Sequence, residues 1–144
     1  MGRPGDLRGG GGRSGRLVDR PLEGAAATGD KVRREVLGDE YVDAARGRAS
    51  DFTAPLQELV TEYCWGEIWG RDGLERKTRS LINLGILAAL NREAELRLHV
   101  RGAIANGCTR EEVQEALLQA TVYCGIPCGV SSFRAAAEVM DEID

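Results

Sequence analysis

The chain has 144 residues and a formal charge of −4, with 19 Lys and Arg against 23 Asp and Glu. That length suits one ordinary domain, and no uninterrupted run of about 18 apolar residues is present to span a bilayer. Five arginines against three acids put +2 in residues 1–29 and leave −6 on residues 30–144, and dispersed positive charge on an acidic background lacks the basic stripe that nucleic-acid binding needs.

Residues 1–29 hold nine glycines, two prolines and no apolar periodicity. They predict a disordered leader, because such a segment cannot bury enough apolar surface to offset its ordering entropy. The leader has no signal-peptide core, so a cytoplasmic protein is expected. The domain is expected over residues 30–144. Asp30 is available as an N-cap, and Val32, Val36, Leu37, Tyr41, Val42 and Ala45 then recur at helical spacing, with Gly38 kinking or dividing the helix.

"DFTAPLQELVTEYCWGEIWG" offers Phe52, Leu56, Leu59, Val60 and Tyr63 as an apolar stripe. It tolerates Pro55 only in a first turn. The helix is expected to fade near Gly66 or Gly70. From Leu81 to Leu90 the next helix is apolar nearly all round, as a central helix covered on several sides would be. A fourth helix carries Leu96, Val100, Ala103 and Ile104 and stops at Asn106-Gly107. Thr109 with Glu112 forms a capping box for the fifth. A last helix is expected over residues 129–143, with Val130, Phe133, Ala137 and Met140 as its stripe. The fold class is all-α, about six helices in one domain. A small domain with so apolar a central helix is expected to complete its core by oligomerising.

Three stretches could carry chemistry. His99, the single histidine, follows Glu95 by four positions, so the pair shares a helix face. A neighbouring carboxylate favours the imidazolium and makes a proton donor near neutral pH; the plainer alternative is a surface ion pair. In "WGEIWGRDGL", Trp65 and Trp69 could wall an apolar pocket with Glu67 at its mouth and Arg71 just beyond, or could simply be core residues. Arg76, Lys77 and Arg79 open an apolar helix at the end where cations are electrostatically unfavourable. Either one of them grips a carboxylate in bidentate fashion or all three form a solvated first turn.

The four cysteines, Cys64, Cys108, Cys124 and Cys128, match no C-x2-C zinc spacing, so no metal site is expected. In "YCGIPC" three residues separate Cys124 from Cys128, one more than the redox motif needs. Gly125 is expected to end one helix and Pro127 to start the next. Both sulfurs are expected to be buried as small hydrophobes near the pocket wall.

Taken together, "RREVLGDEYVDAA", "WGEIW", "KTRSL", "ELRLHVRGA", Asn106-Gly107 with Thr109 and "EEV", and Tyr123 with Gly125 and Pro127 resemble the 4-carboxymuconolactone decarboxylase family in order and spacing, over roughly residues 31–142. The resemblance implies the all-α fold of alkylhydroperoxidase-D-like proteins, assembled as homotrimers or homohexamers with sites near subunit contacts. It also implies conversion of 4-carboxymuconolactone to the β-ketoadipate enol-lactone, in the protocatechuate branch of the β-ketoadipate pathway. The related peroxidases place a Cys-x-x-Cys pair before a histidine. Here Arg92 and Glu95 stand where those cysteines would be, so the ancestral dithiol chemistry is absent at that position.

Carbon dioxide loss from such a lactone leaves an electron pair that the ring double bond passes to the lactone carbonyl, so no cofactor is expected. The protein must supply an oxyanion donor, a proton, a cation for the retained carboxylate and a dry pocket. On this reading His99, Glu95 and Glu67 are the catalytic candidates, and Arg79, Arg71, Trp65, Trp69 and Tyr123 bind a small lactone carboxylic acid. "WGRDG" replaces the family's commoner Trp-Ser-Arg-Pro-Gly, and the cysteines of "YCGIPC" stand where small or apolar residues are usual. Both departures keep three alternatives open: an enzyme acting on another lactone or polyketide acid in a biosynthetic pathway, a Cys124/Cys128 thiol peroxidase or reductase, and a silent oligomeric binding protein.

Overall fold

The computed structural model describes residues 23–144, and every regular element among them is helical. In chain order they are α1 (Gly24–Leu37), α2 (Asp39–Gly47), α3 (Ala54–Leu59), a π-helix (Val60–Ile68), α4 (Arg76–Ala89), α5 (Glu93–Ala105), α6 (Arg110–Cys124) and α7 (Ile126–Ile143). None of these helices is long and apolar enough to cross a membrane.

Helix α1 begins at Gly24, six residues before the expected boundary, while residues 1–22 of the expected leader lie outside the described residues. Three consecutive alanines, Ala25 to Ala27, favour the helix intrinsically. Its first turns are then held by backbone contact with the π-helix. A Cβ on Gly29 would fall onto the Thr61 carbonyl oxygen and lie 2.8 Å from the Gly66 amide, and a Cβ on Gly66 would fall onto the Ala25 carbonyl. Only glycine at both positions lets the two backbones touch. Asp30 is consequently an interior residue of α1 rather than its cap. Its carboxylate accepts from Arg34 at 2.8 Å and from Arg46 at 3.3 Å.

Gly38 divides α1 from α2 at φ 89°, a left-handed conformation that a side chain would strain. Arg34 ties the two helices by pairing with Asp39 at 3.1 Å and Asp43 at 2.8 Å, and Val42 is fully buried. Pro55 does lie in the first turn of α3. The stripe expected after it is not covered: Phe52, Leu56, Leu59 and Tyr63 are exposed, and the residues buried in this segment are Trp65 and Trp69. The physical reason is the widened π-turn. The Trp69 amide donates to the Cys64 carbonyl five residues back at 2.9 Å, and α1 covers only the face bearing Val60, Cys64, Trp65 and Trp69.

Helices α4 to α7 enclose the larger core, built on Leu84, Ala88, Leu96, Val100, Ala103, Val113, Leu117, Ala135 and Val139. Contrary to the expectation of cover on several sides, α4 buries only the face carrying Ser80, Leu84 and Ala88, and leaves Ile82, Ile86 and Leu90 half to two-thirds exposed. The capping box of α6 is complete. The Glu112 amide donates to Thr109 Oγ1 at 3.1 Å, and the Thr109 amide donates to Glu112 Oε2 at 2.9 Å. Gly125, at φ 105°, ends α6, and α7 starts at Ile126 with Pro127 in its first turn. Its buried stripe is Cys128, Ser132, Ala135, Ala136 and Val139 rather than Val130 and Ala137, because Gly129 rides against Thr121 and turns that face inward.

Gly29→Ala is expected to lower the urea midpoint by the equivalent of about 3 kcal/mol, the upper end of overpacking penalties. Thr109→Ala, which removes only a cap, is expected to cost about 1 kcal/mol. Equal midpoints for the two variants would refute the close contact at Gly29.

Candidate active site

The π-helix and α5 bring three rings together. Trp65 and Trp69 stack at a centroid separation of 4.9 Å and 27°; His99 lies 6.2 Å from each, nearly parallel to Trp65 at 3° and to Trp69 at 24°. Both tryptophans are buried, held from behind by Val32 and Val36 of α1. Helix α1 also rests on α5, since a Cβ on Gly102 would come within 2.9 Å of Val36 Cγ1. The indoles therefore sit where α1 clamps the π-helix and α5 together.

That packing decides the state of the imidazole. Burial lowers the His99 pKa from its ordinary value of 6.5, and the field of Glu95, one turn earlier and exposed, only partly offsets it. The expectation that Glu95 holds His99 as an imidazolium is thus reversed: His99 is neutral at neutral pH. Its Nδ1 is buried and has no hydrogen-bond partner among the described residues. A buried polar atom left unpaired is costly unless something else occupies it.

Of the three cations opening α4, two are spent at the surface. Arg76 pairs with Glu35 and Lys77 with Glu112 at 2.7 Å. Arg79 is the inward one. Its Nε is buried without a partner, and its Nη2 lies 3.5 Å from the Arg71 carbonyl, too long to be a strong bond. Where Trp69 meets the loop that follows it, a cleft of about 280 Å³ opens, lined by Trp69, Arg71, Leu74, Glu75 and Arg76 among others. Trp69 is therefore shared between this cleft and the ring cluster.

Two candidates are not brought to this place within one chain. Glu67, midway between two buried indoles, lies about half a turn from both and is exposed, and Tyr123 is 81 % exposed at the end of α6. The cysteines divide. Cys128 is buried, its thiol donating to the Ala88 carbonyl at 3.2 Å, whereas Cys124 is exposed, contrary to the expectation that both are buried. All four cysteines are free thiols. Among the described residues no group of three or more His, Cys, Asp or Glu has a metal-holding arrangement. The part of α1 behind the indoles was not legible as site-forming. Its signal was the small and apolar series Gly29, Val32, Val36, interrupted by an arginine at 33.

The all-helical domain, with a half-buried histidine preceded by Arg92 and Glu95 instead of a Cys-x-x-Cys pair, is that of an alkylhydroperoxidase-D-like protein lacking the dithiol, a class to which the family match assigns it. Within that superfamily the chain belongs to the carboxymuconolactone decarboxylase family, whose sequence model matches residues 54–140. It is 47 % identical over 115 residues to a nitrosuccinic acid decarboxylase of Metarhizium robertsii, covering 80 % of each chain. It is 39 % identical over 115 residues to a 4-carboxymuconolactone decarboxylase of Acinetobacter baylyi, covering 80 % of this chain and 86 % of that one. The protein is a decarboxylase.

A histidine whose folded pKa lies below its unfolded value binds fewer protons folded than unfolded, so its stabilising contribution is present above pH 6.5 and is lost as pH falls from there towards the lowered folded pKa. Urea unfolding should therefore show stability declining with pH below about 6.5, and His99→Gln should flatten that part of the profile. A His99 imidazole signal titrating at or above 6.5 by NMR would contradict the burial argument.

Proposed function

We propose that the protein decarboxylates a small dicarboxylic acid without a cofactor, and that His99 acts as a neutral hydrogen-bond donor to the oxyanion formed as carbon dioxide leaves. The observation that carries this reading is the buried Nδ1 of His99, unpartnered beside two stacked indoles. A neutral imidazole can donate from one ring nitrogen only, and Nδ1 is the one buried with no partner among the described residues.

The carbon–carbon bond to the departing carboxylate breaks and its electron pair moves into an adjacent acceptor group. The N–H of His99 stabilises the charge arriving on that acceptor's oxygen, where low polarity makes the interaction strong. The indoles keep the departing carboxylate dry, which favours the uncharged product. Arg79, with its inward Nε unsatisfied, pairs with the carboxylate that stays, and Arg71 at the cleft adds positive charge on the approach. A proton from water then quenches the delocalised pair on carbon, on the carbon that lost carbon dioxide in a nitro acid or on the ring carbon beside the carbonyl in a lactone, and Glu95 supports a donating tautomer through its field.

Two substrates satisfy this scheme. In nitrosuccinic acid the nitro group takes the electron pair directly; in 4-carboxymuconolactone the lactone carbonyl takes it through the ring double bond. The higher identity to the nitrosuccinic acid decarboxylase, 47 % against 39 % over equal lengths, supports the nitro acid as the first reading. The lactone, with its place in the β-ketoadipate pathway, is the second reading.

We also propose a homotrimer or homohexamer. Ile82, Ile86 and Leu90 on α4, with Val122, Ile126 and Val130 around the α6–α7 corner, form exposed apolar surface of the kind that subunit contacts cover. Assembly would give Glu67 and Tyr123 a neighbouring chain to act on.

Ultraviolet assays of both acids test the reading. His99→Phe is expected to lower kcat about 10²–10³-fold, the usual effect of losing one oxyanion donor. Arg79→Met is expected to act mainly on KM. Turnover of neither acid by the wild-type protein, or near-full turnover by His99→Phe, would sink the proposal. Light scattering on Ile86→Glu is expected to show a shift to monomer, and an unchanged mass would move the interface elsewhere.

A further inference from the structure

The described part of the chain carries a second inward arginine, buried where Arg79 is only partly so, and outside the lining of the cleft at Trp69. Arg33, on α1, is 5 % exposed. Its Nη1 donates to Gln57 Oε1 at 3.1 Å, and its Nε is buried with no partner. The Tyr41 phenol is in hydrogen-bonding reach of it, the Cys64 thiol is nearby, and Asp30 is the carboxylate of the three. Asp30 already binds Arg34 and Arg46. A guanidinium has thus been taken out of water with no carboxylate of its own among the described residues, an arrangement that is costly unless an anion arrives.

Beside it lies a pocket of about 230 Å³ between α1, α2 and the start of α3, whose lining includes Arg33, Tyr41, Arg48, Thr53 and Gln57 and no acidic residue. Arg48, exposed at the end of α2, puts a second guanidinium on the same pocket. Ala45 and Ala49 make part of its wall apolar. The Thr53 hydroxyl is engaged in the Ser50 turn, accepting from the Ser50 amide at 2.9 Å, so it is wall rather than ligand.

We infer that this pocket is a binding site for a small dicarboxylate, distinct from the cleft at Trp69. Arg33 would take one carboxylate at the buried end, with the Tyr41 phenol beside it, and Arg48 the other. The fork of a guanidinium matches a carboxylate in bidentate fashion. At roughly 30 Å³ per water the volume equals seven or eight solvent molecules, room for a chain of a few carbons between two carboxylates. Gln57, which holds Arg33 in place, lies on α3 where it runs straight into the π-helix bearing Trp65 and Trp69.

Calorimetric titration of succinate into the full-length Arg71→Met/Arg79→Met variant isolates this site, because both cations proposed for the decarboxylase substrate are gone. Saturable binding at one succinate per chain is expected. Adding Arg48→Met should weaken it tenfold or more, while Arg48→Met alone leaves turnover of the decarboxylase substrate unchanged, so failure here and failure of the proposed reaction are told apart. Arg33→Met should abolish binding and, by removing a buried unpaired charge, raise the unfolding midpoint. A circular dichroism spectrum matching wild type checks that it folds. Absence of saturable binding, or binding that survives both Arg48→Met and Arg33→Met, overturns the inference. Acetate or inorganic phosphate binding as tightly as succinate overturns the dicarboxylate assignment.

Discussion

The site depends on one backbone contact, the approach of α1 to the π-helix through Gly29 and Gly66. With no Cβ on either side, the carbonyl of Thr61 and that of Ala25 reach the opposite chain, and α1 comes low enough to press Val32 and Val36 onto the indoles of Trp65 and Trp69. The indoles in turn cover His99. A methyl group at either glycine would push the helices apart, admit water to the rings and return the imidazole towards its ordinary titration. The chemistry of the histidine is thus a consequence of a steric permission two elements away.

This explains why proximity of a carboxylate did not decide the charge of His99. Glu95 does act on the imidazole in the expected direction, but it is exposed and its field is screened by water, whereas desolvation by two stacked rings is not. The result suits a decarboxylase. A cationic imidazole would hold the substrate's carboxylates as ground-state ion pairs; a neutral donor in a dry pocket interacts most strongly with charge that appears only in the transition state. Arg79 and Arg33 repeat a theme, each a guanidinium carried inward with its Nε unsatisfied. Pairing of Arg76 and Lys77 with surface carboxylates is what singles out Arg79 among the cations that open α4.

The core of α4–α7 and the cluster under α1 are built differently. The first is a set of aliphatic side chains interdigitated across four helices, with the capping box of Thr109 and the glycine at 125 marking where chains turn. The second is aromatic, joined to α1 by backbone contact, and entered through a π-helix. Wide turns of that kind are rare and tend to be retained where they re-aim side chains. Here the widened turn places both indoles, four residues apart, on one buried face and leaves Glu67 on the other.

Much of the architecture was legible along the chain because its signals are local. The capping box, the break at Gly38, Pro55 in a first turn, the Asn106-Gly107 stop and the Gly125–Pro127 corner each follow from the conformational preference of a few adjacent residues. The family could be read from the order of its motifs, whereas His99, Arg79 and the two tryptophans could only be singled out as candidates by residue type and spacing. Tertiary structure alone decided what is non-local. Only packing shows that α1 starts at Gly24, that Asp30 serves two arginines instead of capping, and that the apolar face of α4 is covered on one side. The neutral state of His99 and the burial of Arg33, whose Nε has no partner among the described residues, belong to the same set. A residue's spacing states which face of its own helix it occupies, whereas burial, and with it charge state, depends on which other helix arrives and how closely its backbone is allowed to come.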